Sequence, residues 1–160
     1  MDIKIRKLDL IIAGYMQKLS IPAIRISFAV IFIWFGILKP IGLSSAIPLV
    51  KSTVSWMPLF AAETWVDIIG WWEVLIGIFF LFKKTTRIAI ALLFLQMTGT
   101  FMPLFILPEV TFQGGNILLP TLEGQYVIKN IMIISAALTI GGSLVYSKKK
   151  SDSFESDSYK

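Results

Sequence analysis

Apolar residues fall into four long stretches, 22–43, 65–82, 88–107 and 126–146, separated by one short basic break and two longer connections. A helix needs about 20 mostly apolar residues to cross a bilayer core of roughly 30 Å, so each stretch predicts one transmembrane helix. Such helices satisfy their own backbone polar groups, which lipid cannot do. The alternating pattern of a membrane β-barrel is absent. The predicted fold is therefore an all-α membrane protein, an antiparallel four-transmembrane-helix bundle over residues 22–146. Ahead of it, Ile5, Leu8, Ile12, Tyr15 and Leu19 recur at helical spacing, while Arg6, Asp9, Ala13 and Gln17 fall elsewhere on the wheel. Residues 1–21 thus predict an amphipathic interfacial helix on the inner surface, where basic side chains meet anionic lipid. Pro22 then suits the first turn of span one. The same segment is a poor signal peptide, because its apolar run is short, follows Asp9 and leads to no small-x-small cleavage site. Residues 147–160 read as a polar cytoplasmic tail, disordered from residue 151, with no lipidation motif.

The two longer connections carry signals of their own. Ile47, Val50, Val54 and Met57 predict a short interfacial helix between spans one and two. Gly114, Gly115, Asn116 and Pro120 predict turns between spans three and four, and Thr121 predicts a cap for span four.

Composition agrees with the pattern: 56% of residues are hydrophobic, 16% are charged, and the mean hydropathy is +0.77. The chain has no Cys and no His. That excludes disulfides, zinc or haem ligation by those side chains, Ser-His and Cys-His nucleophile pairs, and a histidine pH switch. The net charge of +5 is a matter of topology. Lys4, Arg6, Lys7 and Lys18 precede span one, Lys83, Lys84 and Arg87 link spans two and three, and Lys148, Lys149, Lys150 and Lys160 follow span four. The other two connections hold Lys51 alone. The positive-inside rule then places both termini in the cytoplasm. Trp56, Trp65 and Tyr146 suit the membrane edges. This distribution gives no reason to expect nucleic acid as a partner.

Five ionisable residues lie inside the predicted spans: Arg25, Lys39, Asp67, Glu73 and Lys129. Each costs at least about 2.5–3.5 kcal/mol near the centre of a span and less near its ends. Arg25, about one turn from the inner edge, reads as an anchor that snorkels to the interface. It shares one stripe of span one with Phe28, Phe32, Gly36 and Lys39. Asp67 pairs with Lys39 on the expectation that spans one and two run antiparallel. Glu73 is the sharpest residue, roughly 12 Å below Trp65 along the helix and too short to snorkel. Gly70 and Gly77 flank it and predict a close helix approach, so Glu73 should face the bundle interior. Lys129, beside Asn130, lies near the outer end of span four, and either it or Lys39 can reach Glu73. The expected site is an outer-half cluster of Lys39, Asp67, Glu73, Lys129 and Asn130. In span three, Gln96, Thr98, Gly99 and Thr100 read as a patch for interhelical hydrogen bonds. Pro103 predicts a bend, and Met97 and Met102 read as packing rather than as metal ligands.

Three segments carry a family resemblance. The first closes the Arg25 run with Trp34-Phe35-Gly36-Ile37-Leu38-Lys39-Pro40. The second is Gly70-Trp71-Trp72-Glu73-Val74-Leu75-Ile76-Gly77, and the third is Leu122-Glu123-Gly124-Gln125-Tyr126-Val127-Ile128-Lys129-Asn130. In order and spacing the chain resembles the DoxX-like superfamily, most of all its YkgB/RclC branch of inner-membrane proteins of reactive-chlorine resistance. The resemblance implies a four-helix bundle in the bacterial inner membrane and a part in redox stress. Some relatives are subunits of a quinone oxidoreductase, and others are linked to oxidative stress or membrane-protein assembly.

Three functions stay open at this level. The first is a redox-stress component engaging a quinone-like ligand or a membrane oxidoreductase partner. Its apolar slot would be lined by Trp34, Trp71, Trp72 and Gln96, with Lys39 or Lys129 donating and Glu73 managing a proton. The second is a proton or small-solute transporter or channel, which a homo-oligomer would favour. The third is a scaffold or assembly factor. No nucleotide or metal motif is present, so catalysis by the chain alone is not expected, and a quinone is the one cofactor the site suggests.

Overall fold

A computed structural model describes the backbone of residues 3–157 and the side chains of residues 5–144. The flank formed by Tyr146, Lys148, Lys149, Lys150 and Lys160 lies outside the described side chains, as does Lys4. The long elements are α1 (Ile3–Leu38), α2 (Ile47–Val54), α3 (Ala62–Leu81) and α4 (Thr86–Phe101). Two single turns follow, α5 (Pro103–Ile106) and α6 (Pro108–Thr111), then a 3-10 turn at Gln113–Gly115 and finally α7 (Leu122–Asp157). Four segments are long and apolar enough to cross a membrane: Ile5–Leu38, Ala62–Leu81, Thr86–Ile106 and Leu122–Leu144. Among the described residues the only β pairing is a lone bridge between Phe112 and Pro120.

Several boundaries differ from the sequence pattern. Pro22 does not open a helix but sits inside α1, which joins the amphipathic segment and the first span into one rod. An interior proline costs about 3 kcal/mol, yet no glycine lies between Gly14 and Gly36 to end the helix nearby. At its far end α1 stops at Leu38 and turns through residues 39–42, with Gly42 at φ +76°. At Pro103 the helical hydrogen-bond ladder is interrupted: α4 ends at Phe101, Met102 keeps helical angles at φ −54° and ψ −40°, and Pro103 starts a further turn. α7 does begin at the predicted cap, where Thr121 Oγ1 accepts the Gly124 N–H at 3.1 Å. It then runs on to Asp157 instead of giving way to a disordered tail. No proline follows Pro120 and no glycine follows Gly142, so nothing in the chain breaks it. The short helix expected near Ile47 forms as α2.

In space, α1 packs most extensively on α3, α3 on α4, α4 on α7, and α7 returns to α1. Their shared core includes Phe28, Phe32, Ile76, Phe80, Leu93, Met97 and Ile140. Phe28 and Phe80 meet edge to face at 4.9 Å. Met97 is packed in this core, as its read role requires. The α1–α3 seam is closed by glycines: a Cβ built on Gly36 would lie 2.8 Å from the Gly70 carbonyl oxygen, and one on Gly70 equally close to that of Gly36. Gly77 sits just as tightly against Ile33 and Ala29. The α4–α7 connection is braced at its base, where the Thr121 N–H donates to the Thr111 carbonyl at 3.0 Å. That same carbonyl leaves no room for a side chain at Gly124.

Candidate functional site

Glu73 faces inward because the α3 stripe it shares with Gly70 and Gly77 is the one that meets α1. Lys39 stands one residue past the end of α1, on the buried stripe of Arg25, Phe28, Phe32 and Gly36. Its ammonium forms an ion pair and hydrogen bond with Glu73 Oε2. From α4, Gln96 Nε2 donates to the other carboxylate oxygen, Oε1, at 3.1 Å. The Lys39 and Glu73 side chains are 7% and 14% exposed, so the triad is screened from its surroundings. Three helices thus converge on one carboxylate whose two oxygens both accept hydrogen bonds.

The expected cluster is smaller than the sequence suggested. Asp67 is exposed and forms no ion pair among the described residues. It lies about 120° around α3 from Glu73, and its expected partner Lys39 is taken by Glu73. Lys129 is exposed as well, its ammonium 5.4 Å from the centre of the Tyr126 ring. Val127 is the buried residue of that turn, and Lys129 projects about 200° away from it. Asn130 turns back on its own helix, donating to the carbonyls of Tyr126 and Val127 at 3.0 and 3.1 Å. Of the residues expected to line a slot, only Gln96 touches Glu73. Trp34 and Trp71 are exposed at 63% and 60%. Trp72 is half-buried, and its Nε1 donates across to the Leu92 carbonyl at a long 3.4 Å. In the span-three patch, Thr98 and Thr100 bond carbonyls of their own helix.

One residue has a part that depth alone did not reveal. Arg25 is no surface anchor: it is 8% exposed and clamps the end of α3. Its Nε and Nη2 donate to the Phe80 carbonyl at 3.1 and 2.9 Å, and Nη2 reaches the Leu81 carbonyl at 3.0 Å. The available signal was its place on the stripe of Lys39, which is the inward face of α1.

Chemically, the triad can lock three helices in register and can pass a proton between ammonium and carboxylate. Among the described residues no group of carboxylates gathers that could hold a metal ion. No family model, no characterised protein and no solved structure matches the chain.

Proposed function

We propose that the chain is a DoxX-like protein of the bacterial inner membrane that takes part in resistance to reactive chlorine and other oxidants, engaging a quinone-like ligand or a membrane oxidoreductase partner. The observation that carries this reading is the triad of Lys39, Glu73 and Gln96, its carboxylate inside a segment apolar enough to cross a membrane. Replacing a buried ion pair by apolar residues is often neutral or stabilising, so packing alone gives no reason for the pair. Ionisable groups inside a span are expensive and mark function by default. In this reading Glu73 and Lys39 manage a proton, and the ligand or partner supplies the electron chemistry.

The bundle is antiparallel, with both termini in the cytoplasm. Supporting this, contacts between α1 and α3 run in opposite sequence order: Arg25 meets Phe80, Ile33 meets Gly77 and Gly36 meets Gly70. Arg6, Lys7 and Lys18 at the start of α1 then share a membrane side with Lys83, Lys84 and Arg87 after α3.

The test compares membrane abundance with hypochlorite survival for Glu73→Gln and for the neutral double variant Lys39→Met with Glu73→Met. Lost protection is the expected result, at normal abundance in the double variant and at matched abundance for Glu73→Gln, which leaves the Lys39 ammonium unpaired. Normal abundance with full protection in both would overturn the reading and leave a scaffold. Proton flux through liposomes holding only this protein would replace it with transport.

A further inference from the structure

The α1–α3 seam ends, opposite the triad, in a polar arrangement that the proposed function does not use. Three hydrogen bonds engage Nε and Nη2 of Arg25. Nη1, which carries two of the five guanidinium N–H groups, has no acceptor among the described residues. Beside it lies a cleft of about 150 Å³ lined by Pro22, Arg25, Ile26, Phe80 and Leu81. Pro22, Ile26 and Leu81 are exposed, so the cleft opens on the outside of the bundle between the two helices.

Among the described side chains, charge at this end is uncompensated. Glu73 is seven residues from Phe80, about 10 Å along α3, and is committed to Lys39. Asp9 is sixteen residues from Arg25, about 24 Å along α1. Glu63, Asp67, Glu109 and Glu123 belong to the other end of the membrane segments. The nearby α3–α4 connection contributes exposed Lys83 and Lys84 instead, and the first turn of α4 exposed Arg87. The carbonyl end of α3 offers only about half a negative charge, less than a guanidinium carries. Among the described side chains a buried cation therefore stands without an anion at the level where a spanning helix ends, which is where lipid headgroups lie.

We propose that this cleft binds the phosphate of an anionic phospholipid headgroup. Arg25 Nη1 is the donor, in the charge-assisted geometry that guanidinium and phosphate favour. Lys83 and Lys84 add attraction, and Pro22, Ile26 and Leu81, all exposed, carry the start of an acyl chain.

The experiment is native mass spectrometry of the full-length protein, released from mixed phosphatidylglycerol and phosphatidylcholine vesicles into a non-ionic detergent. The expected result is one retained phosphatidylglycerol and no preference for phosphatidylcholine. Ile26→Trp fills the cleft, keeps the Arg25 guanidinium, and should weaken retention about ten- to a hundredfold, the range of one charged hydrogen bond. Arg25→Gln should abolish it, and Lys51→Gln at the opposite end should leave it unchanged. Equal retention of the two lipids, indifference to Ile26→Trp, or an equal loss from Lys51→Gln would overturn the site. Displacement of the lipid by millimolar inorganic phosphate would overturn the lipid as its source.

Discussion

Arg25 and Lys39 stand fourteen residues apart on one stripe of α1, both buried, both against α3. They solve the same problem in opposite ways. Lys39 finds a carboxylate, with Gln96 completing the shell. Arg25 finds bare backbone, where α3 runs out of intrahelical partners. Side chains take every carbonyl there. Thr85 Oγ1 donates to Phe79 at 2.8 Å, Arg25 to Phe80 and Leu81, and Thr86 Oγ1 to Phe82 at 3.0 Å. A planar fork suits two neighbouring carbonyls, and a compact ammonium suits one carboxylate. The lesson is that burying a positive charge can serve two different ends, a cap or a reactive pair, and only the identity of the acceptor tells them apart.

The sharpest way to break the comparison is to remove one partner of the pair. Lys39→Met leaves the Glu73 carboxylate uncompensated and should cost about 3–5 kcal/mol, read as thermal melting in detergent. Adding Glu73→Met should restore most of that loss. Arg25→Lys keeps the charge but loses the fork, and should cost about 1.5–3 kcal/mol by the same measurement. If Arg25→Lys is silent, the clamp is not what holds the end of α3. Gln96→Leu removes one interhelical donor, worth about 0.6 kcal/mol on average and at most about 1.7 in membranes. Its effect should disappear in the double Met variant, because no carboxylate is left to accept. Smallest of all, Lys129→Met should stay within about 0.5 kcal/mol, the range of an exposed substitution. A larger loss would return Lys129 to the cluster.

Hydropathy made the four membrane segments legible, since each is a long uninterrupted apolar run. Gly70 and Gly77 gave the inward face of Glu73, because small residues at helical spacing admit a second backbone. The partner was harder. Lys39, Asp67 and Lys129 all lie near one membrane level, and the level of a residue says nothing about its rotation. Asp67 and Lys129 fail by rotation alone, each facing out from a helix whose opposite side is packed. Arg25 was misjudged for the converse reason: nearness to an edge suggested snorkelling, while its stripe pointed inward. The unbroken course of α1 through Pro22 was not legible either. Proline disfavours a helix interior but does not forbid it, and no local sequence signal reveals whether the neighbours absorb the freed carbonyl.

That unbroken rod has a geometric corollary. Thirty-six residues measure about 54 Å at 1.5 Å each. Even leaning by about 40°, the steepest angle membrane helices commonly adopt, it would traverse a hydrocarbon slab in roughly 39 Å of its length. At least about ten residues must therefore stand clear of the acyl region. Because α1 continues as one helix through Pro22, that projecting arm is itself helical and carries the chain's first basic residues clear of the slab.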